Sequence, residues 1–329
     1  MIAALLLLVW AGRATGAEPA STVDRITLGG HRFQVPSNVY SPFTATRFGF
    51  RQGVSYLAVP DVQPEGYDES FDLGLFGAAE SLDLGVPLAP RWGLYSRAVL
   101  LATSGANADS AYFMGARLGA NWELGGTLVA MRQPAHGRQL ALRVLVRGRV
   151  DSTLQPAGLV DALVDDREDT LRDVLRGDYL EYILTSERGA SPGAGLAFAQ
   201  ALSPGWGLQA STGLRVGRTS RDFFDGVKQI LDVRTRLTGS MGLAVDHTFE
   251  PPVPLSVQLE YRYRVDVDGD NPEVSAVEGQ TTQRHFVGLG CYYVGRPDLD
   301  LGIAASTLLV FSADQERYLS GELVIRNWF

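Results

Sequence analysis

From Leu255 to Asp268 the chain alternates without a break. Leu255, Val257, Leu259, Tyr261, Tyr263, Val265 and Val267 are apolar or aromatic, whereas Ser256, Gln258, Glu260, Arg262, Arg264, Asp266 and Asp268 are polar. Successive side chains of a strand point to opposite faces, so this stretch reads as one strand between two unlike media. The chain is 45% hydrophobic. At that composition, independent positions would give so long a perfect alternation roughly once in ten thousand windows.

The same period recurs along most of the chain. Strand 44–60 carries Phe48 and Phe50. Segment 71–88 sets Leu73 and Leu75 on one phase and Leu82, Leu84, Val86 and Leu88 on the other, so it contains either a β-bulge or a tight turn near 77–81. Strand 92–103 follows Pro90-Arg91. Strand 111–124 puts Tyr112, Met114, Ala116, Leu118, Ala120 and Trp122 opposite Arg117, Asn121 and Glu123, and strand 138–150 sets Leu140, Leu142, Val144 and Val146 against Arg143, Arg147 and Arg149. Further strands are predicted over 194–202, 206–218, 230–249, 283–295, 298–311 and 317–329. Between them, residues 158–184 change period. Val160, Leu163, Val164, Leu171, Val174 and Leu175 recur at helical steps opposite an acidic run, which predicts a helical loop insert within 151–191. Connections near 90, 134, 204, 252 and 296 are short, and those near 65, 107, 170, 223 and 274 are mostly longer and more polar. This layout predicts an all-β fold, an antiparallel up-and-down barrel of about twelve strands with a short helical insert in one loop.

Strand length decides between water and lipid. Strands of soluble proteins typically run about five or six residues, and a tilted crossing of a bilayer takes about nine to eleven. The predicted strands fit the second figure, so a transmembrane barrel is preferred to a soluble sandwich. Aromatic side chains lie near strand ends on the apolar phase. Trp92, Trp206, Phe249, Tyr293 and Phe329 fall toward the short-turn rim and Tyr112 and Phe311 toward the other, the pattern of girdles at lipid headgroups. The polar phase then lines the lumen with Arg117, Arg143, Arg147, Arg149, Arg215, Asp232, Arg234, Arg236, Asp246, Glu260, Arg262, Arg264, Asp266 and Glu322. These charges either line a pore or pair across strands and fill a narrow barrel.

Residues 1–17 read as a secretory signal, with an apolar run Ile2–Ala11 and small residues Thr15-Gly16-Ala17, although Arg13 follows the run and no basic residue precedes it. Residues 18–43, with Gly29-Gly30, Pro36 and Pro42, form a segment that is either periplasmic or lumenal. The barrel occupies 44–329. A net charge of −8 and a pI near 5.1 argue against nucleic acid as a partner. The single cysteine, Cys291, leaves no internal disulfide and no thiolate zinc site. No metal site or cofactor is expected, since Asp266–Asn271 lacks the spacing and terminal Glu of a calcium loop. His31, His136, His247 and His285 have no Ser or Asp at a telling spacing, so no enzyme is expected.

The carboxyl-terminal strand, with Leu319, Leu323, Ile325 and terminal Phe329 on one phase, resembles the assembly signal of Gram-negative outer-membrane β-barrels. It departs from that signal at Asn327, where the family usually carries an aromatic residue. Leu73–Leu88 is more loosely similar to repeats of outer-membrane transporters related to those for hydrophobic compounds. The resemblance implies an outer-membrane location, lipid as a partner, and insertion by the barrel-assembly machinery through the last strand. The function expected is a channel or transporter for small-molecule solutes, with the insert acting as gate or external cap. A plugged barrel with structural or adhesive duties is second, and a membrane-embedded hydrolase third.

Overall fold

In a computed structural model, twelve antiparallel strands pair in sequence order and close on themselves. The structure describes residues 26–62, 70–157, 159–160, 170, 183–224, 229–249, 253–269, 281–309 and 317–329. The signal segment, Phe311 and most of the 158–184 insert lie outside these residues. A two-residue hairpin, β1 (Thr27–Leu28) and β2 (His31–Arg32), comes first. The barrel strands are β3 (Arg47–Val62), β4 (Phe71–Ala89), β5 (Trp92–Gly105), β6 (Ala116–Gln133), β7 (Arg138–Leu154), β8 (Leu184–Ser203), β9 (Trp206–Phe224), β10 (Gln229–Thr248), β11 (Leu255–Gly269), β12 (Thr281–Arg296), β13 (Leu299–Leu309) and β14 (Arg317–Trp328). The last strand closes on the first barrel strand, with Leu323 opposite Gln52.

The apolar phase faces outward. Leu118 is 69% exposed, Ile303 66% and Leu319 61%, whereas the intervening phase holds Gln139, Gln209 and Gln258 at 0%. So wide an apolar surface is a liability in water and a fit to hydrocarbon. Closure also leaves no strand edge with unpaired N–H and C=O groups, the condition for crossing a bilayer. The wall is uneven in height. β13 and β14 have 11 and 12 residues, whereas β8 and β10 have 20 each. In the short β12–β13 turn, Arg296 donates to Asp298 at 2.6 and 3.0 Å and holds its carboxyl below the usual range.

Three expectations need correction. Segment 71–88 is neither bulged nor turned near 77–81, because β4 keeps one register with β3 from Leu73 to Gly85. Its phase change arises because Leu73 and Leu75 face inward while Glu80 faces outward in line with Phe76 and Leu82. Strand 111–124 begins later than its alternation suggests, since residues 108–114 form a short helix, α1 (Ala108–Met114). Asn107 caps it by accepting from the Ser110 N–H at 2.7 Å, and Gly115 ends it at φ 61°. Tyr112 therefore sits on this helix, edge-on to Phe113, and not on a strand girdle. The insert is also shorter than 151–191, because Asp151 pairs with Glu187 and Leu154 with Leu184 in the ladder.

Glu80 is exposed on the outer face, opposite Gln52 on β3 and Leu100 on β5. A carboxylate against lipid is unfavourable, though less so than a basic group. Glu80→Leu is expected to stabilise the barrel by about 1–2 kcal/mol in reversible urea unfolding from lipid vesicles. Unchanged or lower stability would contradict a lipid-facing Glu80.

Candidate functional site

Residues 26–46 run through the short-turn end of the lumen, rise to an apex near Tyr40, and return to enter β3. This backbone makes few ladder bonds of its own, so its polar groups need partners from elsewhere. The inward phase of the barrel supplies them. Glu260 takes the Ser37 and Asn38 N–H groups on its two oxygens, at 2.8 and 2.6 Å. The Ser211 hydroxyl accepts from the Tyr40 N–H at 3.2 Å. Going the other way, Gln209 donates to the Gln34 carbonyl at 2.6 Å, Arg326 to Val35 at 3.1 Å, Arg143 to Ser41 at 3.2 Å and Gln139 to Pro42 at 2.7 Å. The Arg143 guanidinium lies over the rings of Tyr40 and Tyr95, at 4.3 and 4.0 Å from their centroids.

The base of this segment is dry. Ile26, Leu28, Phe33, Val35, Phe43 and Ala45 pack with Ala199 and Trp328 into one buried cluster. Burial of each large member contributes roughly 1.5–3 kcal/mol before entropy is counted. At its edge Asp300 holds Arg32 at 2.7 Å and the Trp328 indole N–H at 2.8 Å. The barrel wall makes room with inward glycines. A Cβ on Gly207 would lie 2.4 Å from His31 Nε2, and one on Gly242 would lie 2.9 Å from Val39. The hairpin turns on Gly29 and Gly30, both at positive φ.

Above the apex the lumen opens. A cavity of about 260 Å³ is lined by Arg147, Arg149, Arg215, Arg236 and Arg264, with Asp151 the one acidic residue. Arg149 and Arg117 both bind Asp151, Arg117 at 2.8 Å, and both reach Glu187 within 3.6 Å. Arg264 binds Asp266 at 2.7 Å, and Thr238 donates to the same carboxylate at 2.6 Å. Arg234 binds Asp232 at 2.6 Å from an exposed position. Arg147, Arg215 and Arg262 have no acidic partner within ion-pair distance among the described residues.

The inward charges of the sequence reading thus divide by depth. Arg143, Asp246 and Glu260 hold the lumen segment. Arg117, Arg149, Asp232, Arg234, Arg264 and Asp266 pair with one another or with neighbours. Glu322 lies 3.9 Å from Arg51. The reading missed Arg51, Asp83 and Arg97, which form one chain of ion pairs at 3.4 and 3.0 Å. It also missed Asp300 with its three partners Arg32, Arg326 and Trp328. Asp83 and Arg97 sit opposite each other in the β4–β5 ladder, so their polar character amid leucines was the available signal.

On the outer face Trp92, Trp206, Phe249, Tyr293 and Phe329 are exposed at the short-turn rim. His247 belongs with them, 4.3 Å from the Trp206 ring. His285 accompanies Tyr261, whose hydroxyl lies 2.7 Å from its Nδ1. His31 does have a carboxylate partner, Asp246 at 2.6 Å, although 215 positions separate them in sequence. Its other nitrogen faces the Pro204 carbonyl at 3.1 Å. Both ring nitrogens are thus engaged, and the contacts are those of a structural anchor.

In fold the chain is similar to the translocator domain of autotransporter NalP from Neisseria meningitidis, with a TM-score of 0.53 and 12% identity over 87% of this chain and 89% of that one. It is also similar to an outer membrane channel from Pseudomonas putida F1, with a TM-score of 0.53 and 12% identity over 89% and 99% of the two chains. At such identity the likeness is one of fold, that of an outer-membrane β-barrel. No protein-family model matches the sequence. No curated protein matches it.

Glu260→Ala removes two charge-assisted hydrogen bonds, each contributing roughly 1.5–3 kcal/mol. Amide exchange at Ser37 and Asn38 is expected to accelerate at least about tenfold, while exchange in β11 stays slow. Unaltered exchange at the two amides would show that Glu260 does not hold the apex.

Proposed function

We propose that this chain is an outer-membrane channel or transporter for small-molecule solutes, exported to the periplasm and inserted by the barrel-assembly machinery through β14. Solute enters the arginine-lined cavity from the long-loop side. It leaves past the lumen segment when the apex of that segment withdraws. The observation that carries this reading is the contrast within the segment. Its base packs an apolar cluster, whereas its apex is held by side-chain hydrogen bonds from the wall. The apex is therefore the part least costly to displace.

The second reading is a permanently closed barrel with structural or adhesive duties. The buried cluster of Ile26, Leu28, Phe33 and Phe43 favours it. The two readings differ in current across a planar bilayer. The parent protein is expected to show brief, infrequent openings. In a Glu260→Ala, Arg326→Ala double variant the open fraction is expected to rise at least about tenfold. Neither current nor solute uptake into vesicles from both proteins would sink the transport reading in favour of the closed barrel.

A further inference from the structure

We propose that Arg147, Arg215 and Arg262 form a binding site for the phosphate or sulfate group of a small solute, at the floor of the arginine-lined cavity. The inference deepens the solute-uptake reading, since the cavity is where a solute entering from outside would first be held. Arg147 and Arg215 line the cavity directly. Arg262 lies in the same ladder row as Gly242 and Ser211, and Ser211 receives the Tyr40 amide, so Arg262 sits beside the apex of the lumen segment.

Three features point to an oxyanion. First, Arg117, Arg149, Arg234 and Arg264 are each matched to a carboxylate on the wall. Among the described residues Arg215 and Arg262 have no such match, and Arg147 has only Glu123 across the β6–β7 ladder, beyond ion-pair distance. Second, Arg215 is only 8% exposed. None of its guanidinium nitrogens is a buried atom without a partner, so the stem is covered while the charged head faces the cavity, where an anion can reach it. Third, inward glycines flank Arg215. A Cβ on Gly193 would fall 2.3 Å from Arg215 Cγ, so the side chain lies flat against the wall and leaves the lumen clear. Guanidinium groups present paired N–H donors that match tetrahedral oxyanions with several acceptor oxygens. A phosphate or sulfate group has oxygens for more than one such fork, whereas a single carboxylate is filled by one.

The test is isothermal titration of the full mature chain, folded in detergent at low ionic strength, with inorganic phosphate and in parallel with inorganic sulfate. Saturable binding of at least one of them is expected, weakening as sodium chloride rises. Arg215→Gln and Arg262→Gln are each expected to lower affinity about tenfold or more, and Arg215→Lys to retain part of it. Arg234→Gln, at the exposed rim, is expected to bind as the parent does. Heat-modifiable migration on gels confirms that each variant is folded. Absence of saturable binding, or affinities of Arg215→Gln and Arg262→Gln within twofold of the parent, overturns the site. Reversal potentials in a salt gradient separate this proposal from the transport reading. A conducting barrel that prefers cations overturns the anion site and leaves transport standing. A silent barrel that binds phosphate upholds the site and removes transport.

Discussion

The structure depends on one requirement, that backbone N–H and C=O groups away from water have partners. In the wall, the requirement is met by closing twelve strands on themselves, with β14 paired to β3. Inside the lumen it appears again, because residues 33–46 are irregular and cannot pair among themselves. There the side chains of the wall take over. Glu260, Ser211, Gln209, Arg326, Arg143 and Gln139 act as a discontinuous strand edge for the inner segment. Many polar residues of the lower barrel are thus explained as backbone partners and not as pore lining.

Shape follows the same division. The lower lumen is narrowed by Phe33, Phe43 and Trp328 and relieved by the inward glycines Gly207 and Gly242. The upper lumen carries long arginines instead, and the tall wall from β6 to β10 supplies most of them. A dry base, a polar apex and a basic cavity lie in series along the axis. Charges that pair on the wall line the cavity, while Arg147, Arg215 and Arg262 have no carboxylate within ion-pair distance among the described residues.

His31 shows how distance in sequence hides chemistry. Its partner Asp246 lies 215 positions away. Their meeting resembles half of a catalytic arrangement. The second ring nitrogen is occupied by the Pro204 carbonyl, and the neighbouring ring is Phe33 at 4.6 Å. With no hydroxyl or thiol among its hydrogen-bond partners, the pair anchors the hairpin to the wall.

Alternation by itself determined most of the strands, a count of about twelve and which phase meets lipid, because period two follows from strand geometry and hydrocarbon tolerates few exceptions on the outer face. Glu80 is such an exception, and together with the inward Leu73 and Leu75 it produced the apparent phase change in β4. Local rules also held the N-cap at Asn107, yet the alternation of residues 111–124 masked it. Tertiary structure alone decided what fills the barrel. The inner face carries no strict rule, since glutamine, glycine and arginine all suit a lumen whether it is open or occupied. Only folding brings Ser37 to Glu260 and Val35 to Arg326, and only folding separates the arginines paired to a carboxylate from those, such as Arg215, with none within ion-pair distance among the described residues.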